Sequence, residues 1–292
     1  MSPQRLLQPL RVAGLLLVFA IGAASATREI LLLAGTPSHP HLEHEHNADA
    51  VLFARILNSV PGIHATASRN GWPSDPTLIE KADAVWMFCN GGGGHLAAQA
   101  GHAAQIQTAV RRGAGIMLYH YALEPPETAL HREFLDWVGG YFELNYSVNP
   151  VFEADFKTLP KHPVTRGVRP FRITDEWYYN MRFPEQMKGV TQILIAVPPA
   201  SSLSHPDGPH EGNPEVRSKI GQPQCLMWAY ERAGGGRGIG FTGGHFHMNL
   251  ADDNFRKIIL NALVWIAGGE VPPQGIESAV SKDELMQNLD VK

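Results

Sequence analysis

Residues 29–60 read EILLLAGTPSHPHLEHEHNADAVLFARILNSV. The apolar run at residues 29–35 has the composition of a buried strand, and residues 47–60 have the periodicity of an amphipathic helix. The connection between them, residues 38–47, contains four histidines and two glutamates. In an open α/β sheet, ligands bind where a strand ends and leads into a helix. This stretch therefore predicts an α/β fold with a ligand site at its first strand-to-helix connection.

The same alternation of strands and helices continues along the chain. Strands are predicted at residues 29–35, 63–68, 84–89, 115–121, 152–156, 192–197, 225–230 and 238–242. Helices are predicted at residues 47–60, 75–81, 96–112, 131–138 and 253–267, and Asp252 or Asp253 can cap the last one. Strands that alternate with helices form right-handed βαβ units. The predicted fold class is α/β with three layers: a mainly parallel central sheet and helices on both faces.

Composition divides the chain into three parts. Residues 1–26 have the pattern of a secretory signal peptide, because basic residues precede a short apolar run and small residues stand at positions 24–26. The alternative is an uncleaved membrane anchor, which the shortness of the apolar run disfavours. Residues 27–270 are predicted to form a single domain, and the polar tail, residues 271–292, is expected to lie loosely on the surface. The protein is therefore predicted to be secreted or periplasmic, without stable membrane insertion after signal cleavage.

Charge and cysteine content narrow the range of partners. The formal net charge is −4 at pH 7 and no cluster of basic residues stands out, which argues against nucleic acid or an anionic membrane as partner. Cys89 and Cys225 lie in or beside apolar runs, which favours buried free thiols over a disulfide. The segment at residues 201–219 is rich in proline, serine and glycine, and is either a plain surface loop or a lid over a pocket. No pattern indicates the oligomeric state.

Polar groups follow several other predicted strands. Residues 91–94 are four glycines that lead toward a helix, and their N–H groups either bind an anion or form a flexible turn. His120 and His245 follow two further strands, and Asp175 and Glu176 stand beside aromatic residues. Carboxylates beside aromatic rings are common in sugar sites, because ring faces cover apolar sugar patches while carboxylates hold hydroxyl groups. Their location at strand ends predicts one shared pocket.

Four motifs in chain order carry a resemblance to a known family. They are Ser38-His39 with Glu43-His44-Glu45-His46-Asn47, His162-Pro163-Val164 with Gly167, Asp175-Glu176-Trp177-Tyr178, and Gly236-Arg237-Gly238 running into Gly243-Gly244-His245. With these motifs, residues 28–270 resemble a ThuA-like (trehalose utilisation) domain. The resemblance implies a flavodoxin-like fold, similar to that of the class I glutamine amidotransferases. Those relatives place a nucleophilic cysteine after a central strand where this sequence reads Tyr119-His120-Tyr121, so glutamine hydrolysis is not expected.

The polar groups and the resemblance leave three functions open. The first is acid–base chemistry on a sugar or keto-sugar, with His44, His120 and Glu176 as catalytic residues. The second is metal-assisted chemistry, with zinc or another divalent metal on His39, His120 and His245. Either one would make the protein a sugar-processing isomerase, hydrolase or lyase. The third is a non-catalytic sugar- or metal-binding module.

The expected partner in each case is a small-molecule carbohydrate. The predicted substrate-binding residues are polar, aromatic or glycine residues in or near the strand-end motifs: His39, Glu43, Asn47, Gly92, Gly93, Asp175, Trp177 and Tyr178. His41 and His46 are expected to be neighbours of the pocket rather than part of it. No role is expected for His64, His102 and His131.

Overall fold

The computed structural model describes residues 26–292. Nine strands lie in that range: β1 (Arg28–Ala34), β2 (Ile63–Ser68), β3 (Ala84–Phe88), β4 (Gly115–Tyr119), β5 (Val151–Phe156), β6 (Phe171–Glu176), β7 (Val190–Ala196), β8 (Gln224–Glu231) and β9 (Arg237–Phe241). Seven α-helices lie there: α1 (His46–Leu57), α2 (Thr77–Lys81), α3 (His102–Arg111), α4 (His131–Val138), α5 (Pro214–Arg217), α6 (Asp253–Ile266) and α7 (Lys282–Leu285).

The predicted signal peptide occupies residues 1–26, of which only Ala26 belongs to the described residues. Within residues 26–292, no helix combines the length and the apolar character needed to cross a membrane.

A seven-stranded sheet with the order β2-β1-β3-β4-β9-β8-β7 forms the centre of the domain. The first five of these strands run parallel, whereas β8 and β7 are each antiparallel to a neighbour. β5 and β6 form a separate antiparallel pair. The sheet is therefore mainly parallel, as the sequence pattern predicts, and has an antiparallel edge.

Helices cover both faces of this sheet. Because side chains alternate along a strand, Leu32 and Trp86 join the apolar layer that includes α1 and α6, whereas Leu33 and Met87 join the layer that includes α3 and α4. Each fully buried leucine or methionine side chain contributes about 1.5–3 kcal/mol relative to an exposed one. α6 begins after Asp252, whose carboxylate caps the helix as predicted. The two layers confirm the three-layer α/β fold.

The C-terminal ends of the central strands lie side by side. Ala34 of β1 pairs with Phe88 of β3, and Tyr119 of β4 pairs with Phe241 of β9. The residues that follow these strands therefore emerge at one edge of the sheet, and the loops after β1, β4 and β9 meet there. In parallel α/β sheets this is the edge that binds ligands.

Several elements differ from the sequence prediction: the short helices α5 and α7 are not predicted, α3 begins later and β6 is an additional strand. α3 begins at His102 rather than at residue 96, because Gly101 adopts a left-handed φ of 82° that does not fit inside an α-helix. β6 is not predicted as a strand, because its residues mix charged and apolar types. Antiparallel pairing with β5 holds these residues in the strand conformation. Cys89 and Cys225 are both free and buried, as predicted.

The expectation of a loose tail is wrong. Ile276 and Leu285 are 3% and 1% exposed and belong to the core layer lined by α1 and α6. The backbone N–H of Ile276 donates to Asn261 Oδ1 at 2.8 Å. α7 begins with a capping box between Ser281 and Glu284. The tail is fixed because its few apolar side chains are spaced to fill this layer.

Candidate functional site

His120 follows β4 directly and lies at the centre of the site. Its backbone has a left-handed φ of 53°, which is uncommon for a residue with a side chain, and its ring is fully buried. Its Nδ1 lies 2.7 Å from the carbonyl oxygen of Thr242, just after β9. A carbonyl oxygen only accepts hydrogen bonds, so Nδ1 carries the proton. Nε2 of the neutral ring then presents a lone pair.

His44 lies on the loop between β1 and α1. Its backbone N–H donates to the carbonyl oxygen of His245 at 3.0 Å. His39, Leu42 and His44 have left-handed φ values of 63°, 67° and 44°. Such a conformation costs on the order of 1–3 kcal/mol per residue and persists where surrounding contacts fix it. The loop is therefore sharply bent, and it brings His44 Nε2 against His120 and His245.

His245 follows β9 on a turn that Asp175 holds in place. The buried Asp175 carboxylate accepts hydrogen bonds from the backbone N–H groups of Gly244, His245 and Phe246, at 2.7, 3.0 and 3.3 Å. Burial raises the pKa of the Asp175 carboxyl, and the hydrogen bonds counteract part of that rise. Gly244 has a φ of 108°, and a Cβ there would come within 2.2 Å of the Tyr119 ring. The turn therefore requires glycine at position 244.

Three imidazole nitrogens and one carboxylate oxygen converge at the strand ends. His44 Nε2 lies 2.9 Å from His245 Nδ1 and 3.2 Å from His120 Nε2. Glu176 Oε2 lies 3.3 Å from both His120 Nε2 and His245 Nδ1. We call these four residues the His3Glu cluster, and their ligand atoms all lie within 4.8 Å of one another. Zinc bound tetrahedrally at about 2.0–2.1 Å spaces its ligand atoms about 3.3 Å apart, so the cluster fits such an ion.

The outer nitrogens of two cluster rings hold their protons away from the centre. Thr242 accepts the Nδ1 proton of His120, and Glu43 Oε2 lies 3.3 Å from Nε2 of His245, where its negative charge favours the proton on that nitrogen. The inner nitrogens of the neutral rings are then unprotonated and face Glu176 as acceptors. Acceptors packed this closely need a proton or a metal ion between them. The neutral tautomer of His44 with its proton on Nε2 supplies that proton in the metal-free protein, since His44 Nδ1 has no hydrogen-bond partner among the described residues, and a metal ion would replace it. An outer hydrogen-bond partner on a ligating histidine is also usual at protein metal sites.

Electrostatics keep Glu176 ionised and His44 neutral. Burial raises the pKa of the Glu176 carboxyl, but the charged forms of His120 and His245, which would donate to its carboxylate, outweigh that effect and lower the pKa to about 2. Burial lowers the pKa of His44 far below that of a free imidazole, and the neighbouring imidazoles lower it further. Burial also lowers the pKa of His245, but Glu176 raises it by more, so the net shift is upward. A carboxylate and a neutral imidazole are the states in which these groups bind a metal.

The cluster opens into a pocket of 530 Å³. His44, Glu176 and His245 line it, together with mainly polar side chains that include Tyr121, Asn149, Tyr178, His205 and Glu211. The volume falls within the range of small-molecule sites. Its hydrogen-bonding lining suits a ligand with many hydroxyl groups.

A second histidine–carboxylate pair lies on the pocket wall. His210 Nε2 is 2.8 Å from Oε2 of Glu124, and Glu124 is 4% exposed. The hydrogen bond to Glu124 raises the pKa of His210. Glu124 ends the short turn that begins with His120, and the His210 carbonyl accepts a hydrogen bond from Asn149 N–H at 3.1 Å. Sequence reasoning missed this pair, although the closeness of Glu124 to His120 in the chain was an available signal.

Comparison with known proteins bears on the fold. The sequence profile of the ThuA family, described as trehalose utilisation, matches residues 30–266. The chain belongs to the ThuA family. The solved structure of a ThuA-like protein from Bacteroides uniformis ATCC 8492 has a TM-score of 0.59 and 18% identity, covering 86% of this chain and 98% of that one. A ThuA-like protein from Parabacteroides merdae ATCC 43184 has a TM-score of 0.55 and 16% identity, covering 88% and 94%.

Identities this low show that the ThuA fold is shared and nothing finer. A glutamine amidotransferase from Methylobacillus flagellatus is a weaker structural match, with a TM-score of 0.37 and 13% identity over 92% of this chain and 88% of that one. No curated protein matches this chain in sequence.

Within this ThuA domain, the predicted catalytic residues His44, His120 and Glu176 all belong to the His3Glu cluster. The predicted metal set of His39, His120 and His245 is only partly brought together. His44 takes the place of His39, because the His39 ring stacks on the His44 ring with centroids 3.6 Å apart and lies 6.2 Å from the His245 ring.

The predicted substrate-binding residues fall into two groups. His39 and Tyr178 line the pocket, and Glu43 Oε2 lies 3.3 Å from Nε2 of the cluster residue His245. Asp175 and Trp177 do not reach the pocket, because both are fully buried in the ThuA core. Asp175 instead holds the turn after β9, and Trp177 packs in the core layer lined by α6.

Asn47, Gly92 and Gly93 also lie away from the pocket. Asn47 is buried, and its side chain binds Asn70 and Asp290. The N–H groups of Gly92 and Gly94 donate to the carbonyl oxygens of Glu124 and Gly91 at 2.9 and 3.1 Å, so these two donors are used within the protein rather than for an anion.

The expected pocket neighbours lie beside the site. His41 is exposed, and His46 is hydrogen-bonded to the Thr36 carbonyl oxygen at 3.0 Å. Burial lowers the pKa of His46 to about 3.

Proposed function

We propose that the protein is a secreted or periplasmic enzyme that performs acid–base chemistry on a small sugar or keto-sugar, with a divalent metal ion such as zinc held by the His3Glu cluster. The observation that carries the proposal is the convergence of three imidazole nitrogens and a carboxylate oxygen beside a polar pocket. Membership of a family described as trehalose utilisation supports the carbohydrate part.

The residues of the cluster suit a metal ion by type as well as by spacing. Imidazole and carboxylate ligands are those that zinc and related first-row metals take in proteins. A bound ion would supply positive charge that polarises a carbonyl or hydroxyl oxygen. His44, Glu176 and His245 belong both to the cluster and to the pocket lining, so this charge would face a ligand.

His39 is the residue that we assign as general base. Ser38 Oγ donates to Asn90 Oδ1 at 2.6 Å, so the same oxygen accepts the Nδ1 proton of His39 at 2.8 Å. Nε2 of neutral His39 then carries a lone pair. Burial lowers the pKa of His39 and nearby imidazoles lower it further, which keeps the ring neutral. A neutral, oriented imidazole is a suitable base for a proton on a carbon beside a carbonyl group.

His210 is the matching acid. Glu124 holds its Nε2 proton and stabilises the charged ring. Among residues 26–292, no other group forms a hydrogen bond with this ring, and 37% of the side chain is exposed. The Nδ1 proton of the charged ring therefore remains for a ligand oxygen. In many catalytic histidines, a carboxylate forms a hydrogen bond with one ring nitrogen while the other nitrogen transfers the proton.

Together these groups support the interconversion of keto-sugar isomers. The proton on the carbon beside the ketone moves to His39 Nε2, and its bonding electrons form the double bond of an enediol. The carbonyl oxygen takes a proton from His210. The enediol forms when the carbon that gave up its proton also bears a hydroxyl group. His210 Nδ1, now unprotonated, takes the proton of that hydroxyl group, and His39 Nε2 returns its proton to the former carbonyl carbon. Both histidines then regain their starting states, and atoms and electrons balance without an oxidant or reductant.

The cysteines oppose a glutaminase reaction. Burial raises the pKa of the Cys89 thiol to about 12 and raises that of Cys225 as well. Neither thiol is then available as a thiolate nucleophile. The pocket lining also contains no cysteine among the described residues.

Metal binding is the first test. Chelator-treated protein would be titrated with Zn²⁺ by calorimetry for the wild type and for His120→Ala, with His64→Ala as the matched control because His64 is exposed and far from the cluster in the fold. We expect one ion per wild-type chain, an unchanged control, and a loss of affinity of about 100-fold or more in His120→Ala. Wild-type protein that binds no zinc or other first-row ion would overturn the metal part.

Proton exchange is the second test. Wild-type protein would be incubated in D2O with a panel of keto-hexoses and keto-glycosides, and loss of the C–H signal beside the ketone followed by NMR. Exchange that occurs with the wild-type protein and is lost in His39→Gln would support the proposal that the protein is an enzyme. Saturable sugar or zinc binding without any exchange would instead support a non-catalytic binding module.

A further inference from the structure

Residues 285–292, which we call the strap, contact both loops that carry cluster histidines. The carbonyl oxygen of Leu285 accepts a hydrogen bond from Nε2 of His247, on the turn after β9, at 2.6 Å. The N–H of Asp290 donates to Glu45 Oε2, on the loop after β1, at 2.6 Å. The strap therefore joins two segments that meet at the metal site.

The ammonium group of Lys292 lies against the loop that carries His44. Its Nζ is surrounded by oxygen atoms of this loop: the carbonyl oxygens of Ser38, Pro40, Glu43 and His44, and the carboxylate of Glu45. The distances to Ser38, Pro40 and His44 are 2.8, 3.2 and 3.4 Å. The side chain is only 13% exposed.

The loop has a physical need for such a partner. Residues 38–44 lie outside the helices and the named strands. Backbone N–H groups donate to the carbonyl oxygens of Pro40 and His44, whereas Lys292 is the donor to those of Ser38 and Glu43 among the described residues. Carbonyl oxygens crowded around one point repel one another, and an ammonium group with three N–H donors offsets that repulsion. The left-handed φ values at His39, Leu42 and His44 persist only where contacts of this kind fix them.

We propose that Lys292 is a positioning residue of the metal site: its ammonium group holds residues 38–44 in the bent conformation that places His44 Nε2 against His120 and His245. This inference rests on the proposed metal site. Lys292 is neither a cluster residue nor a residue of the pocket lining, and its contact with His44 is to the backbone carbonyl oxygen rather than to the ligand atom Nε2. Lys292 acts on the cluster through the backbone of the loop. Its charge alone, on an open surface, would contribute little to the cluster.

The test compares Lys292→Ala with Lys282→Ala in the full chain. Lys282 is an exposed lysine of α7 and makes no side-chain contact with the loop within the described residues. Three quantities would be measured: amide hydrogen exchange of residues 38–46 by mass spectrometry, the Zn²⁺ dissociation constant by chelator competition, and the visible absorption spectrum of the Co²⁺ form. Ethylammonium would then be added to Lys292→Ala as a replacement for the missing group.

We expect Lys292→Ala to exchange faster across residues 38–46, to bind Zn²⁺ about 10- to 100-fold more weakly and to show an altered Co²⁺ spectrum. Ethylammonium should restore part of the affinity, and Lys282→Ala should match the wild type. Faster exchange with unchanged Zn²⁺ affinity and Co²⁺ spectrum would reduce Lys292 to a structural contact and overturn the inference alone. A wild-type chain that binds neither metal would overturn the proposed metal site and this inference with it.

Discussion

The imidazole of His39 lies against the imidazole of His44, with ring centroids 3.6 Å apart and planes inclined by 16°. The proposed base and a proposed metal ligand are therefore in direct contact. His120 and His245 hold His44 in the cluster, so a substitution of His39 removes none of the proposed ligand atoms.

Replacing His39 should separate proton transfer from metal binding. We expect His39→Gln to abolish exchange of the keto-sugar C–H proton, because glutamine has no basic nitrogen, while Zn²⁺ affinity changes less than about tenfold. Exchange by NMR and Zn²⁺ affinity by calorimetry would be measured on the same preparation. A large loss of Zn²⁺ affinity would place His39 among the ligands instead.

Neutralising Glu176 should weaken metal binding. The Glu176 carboxyl, with its pKa lowered to about 2, is ionised at every ordinary pH, so Glu176→Gln removes a full charge from the ion. We expect Zn²⁺ affinity to fall by about 100-fold or more. Glu211→Gln changes a carboxylate of the same pocket outside the cluster and serves as the control. Equal losses in both variants would mean that the carboxylates act only through long-range charge.

Metal affinity should also depend on pH through His245. Its pKa is raised, so below that value an incoming ion must displace a proton from the ring. We expect the Zn²⁺ affinity to fall about tenfold for each pH unit below the pKa of His245. In Glu176→Gln the upward shift is lost, and the decline should begin at a lower pH. A decline that begins at the same pH in both proteins would contradict this assignment.

The His210–Glu124 pair should titrate above an ordinary histidine. His210 has a raised pKa because of Glu124, so its NMR titration midpoint should lie above about 6.5 and fall in Glu124→Gln. The stabilising effect of the pair is fully present below about pH 6.5 and is lost as the pH rises through the folded-state pKa. Urea unfolding near pH 6 should therefore show a larger difference between the two proteins than unfolding near pH 9. His205, on the same loop, provides the internal control.

Two glycines should respond differently to alanine. At Gly244 a Cβ meets the Tyr119 ring within 2.2 Å and φ is 108°, so Gly244→Ala should lower the free energy of unfolding by about 2–4 kcal/mol. At Gly93 a Cβ would meet nothing within 4 Å, so Gly93→Ala should change the free energy of unfolding by less than about 0.5 kcal/mol. Urea unfolding measures both. Similar values for the two would contradict the described turn after β9.

Much of the fold is readable from local composition. The apolar runs that become β1, β2, β3, β4, β8 and β9, and the amphipathic run that becomes α6, match the structure closely. β6 was not predicted because the apolar–polar alternation covers only residues 171–174 before the carboxylates Asp175 and Glu176 follow, and its strand conformation depends on pairing with β5. The packing of the tail was not predicted, because its three buried apolar residues, Val271, Ile276 and Leu285, are too far apart to form a periodic pattern.

For the site, residue type was enough to select candidate residues, but it did not show which of them lie together in the cluster. His44, His120, Glu176 and His245 all stand at strand ends in motifs that the chain itself displays. Glu43 and His39 stand in the same motifs, and nothing local separates a ligand from its hydrogen-bond partner. His210 lies in a loop without any motif, so only the position of Glu124 in space reveals its role.

Short-range patterns suffice for the order of strands and helices, for the α/β class and for the absence of a nucleophilic cysteine, because periodicity and residue type are properties of neighbouring positions. The His3Glu cluster depends on long-range pairing. His44 is 76 residues from His120 and 201 residues from His245, and β9 joins them by inserting beside β4. The Thr242 carbonyl oxygen, which accepts the Nδ1 proton of His120, and the Glu43 carboxylate beside Nε2 of His245 then orient the rings. No local pattern encodes which nitrogen of each histidine faces the centre.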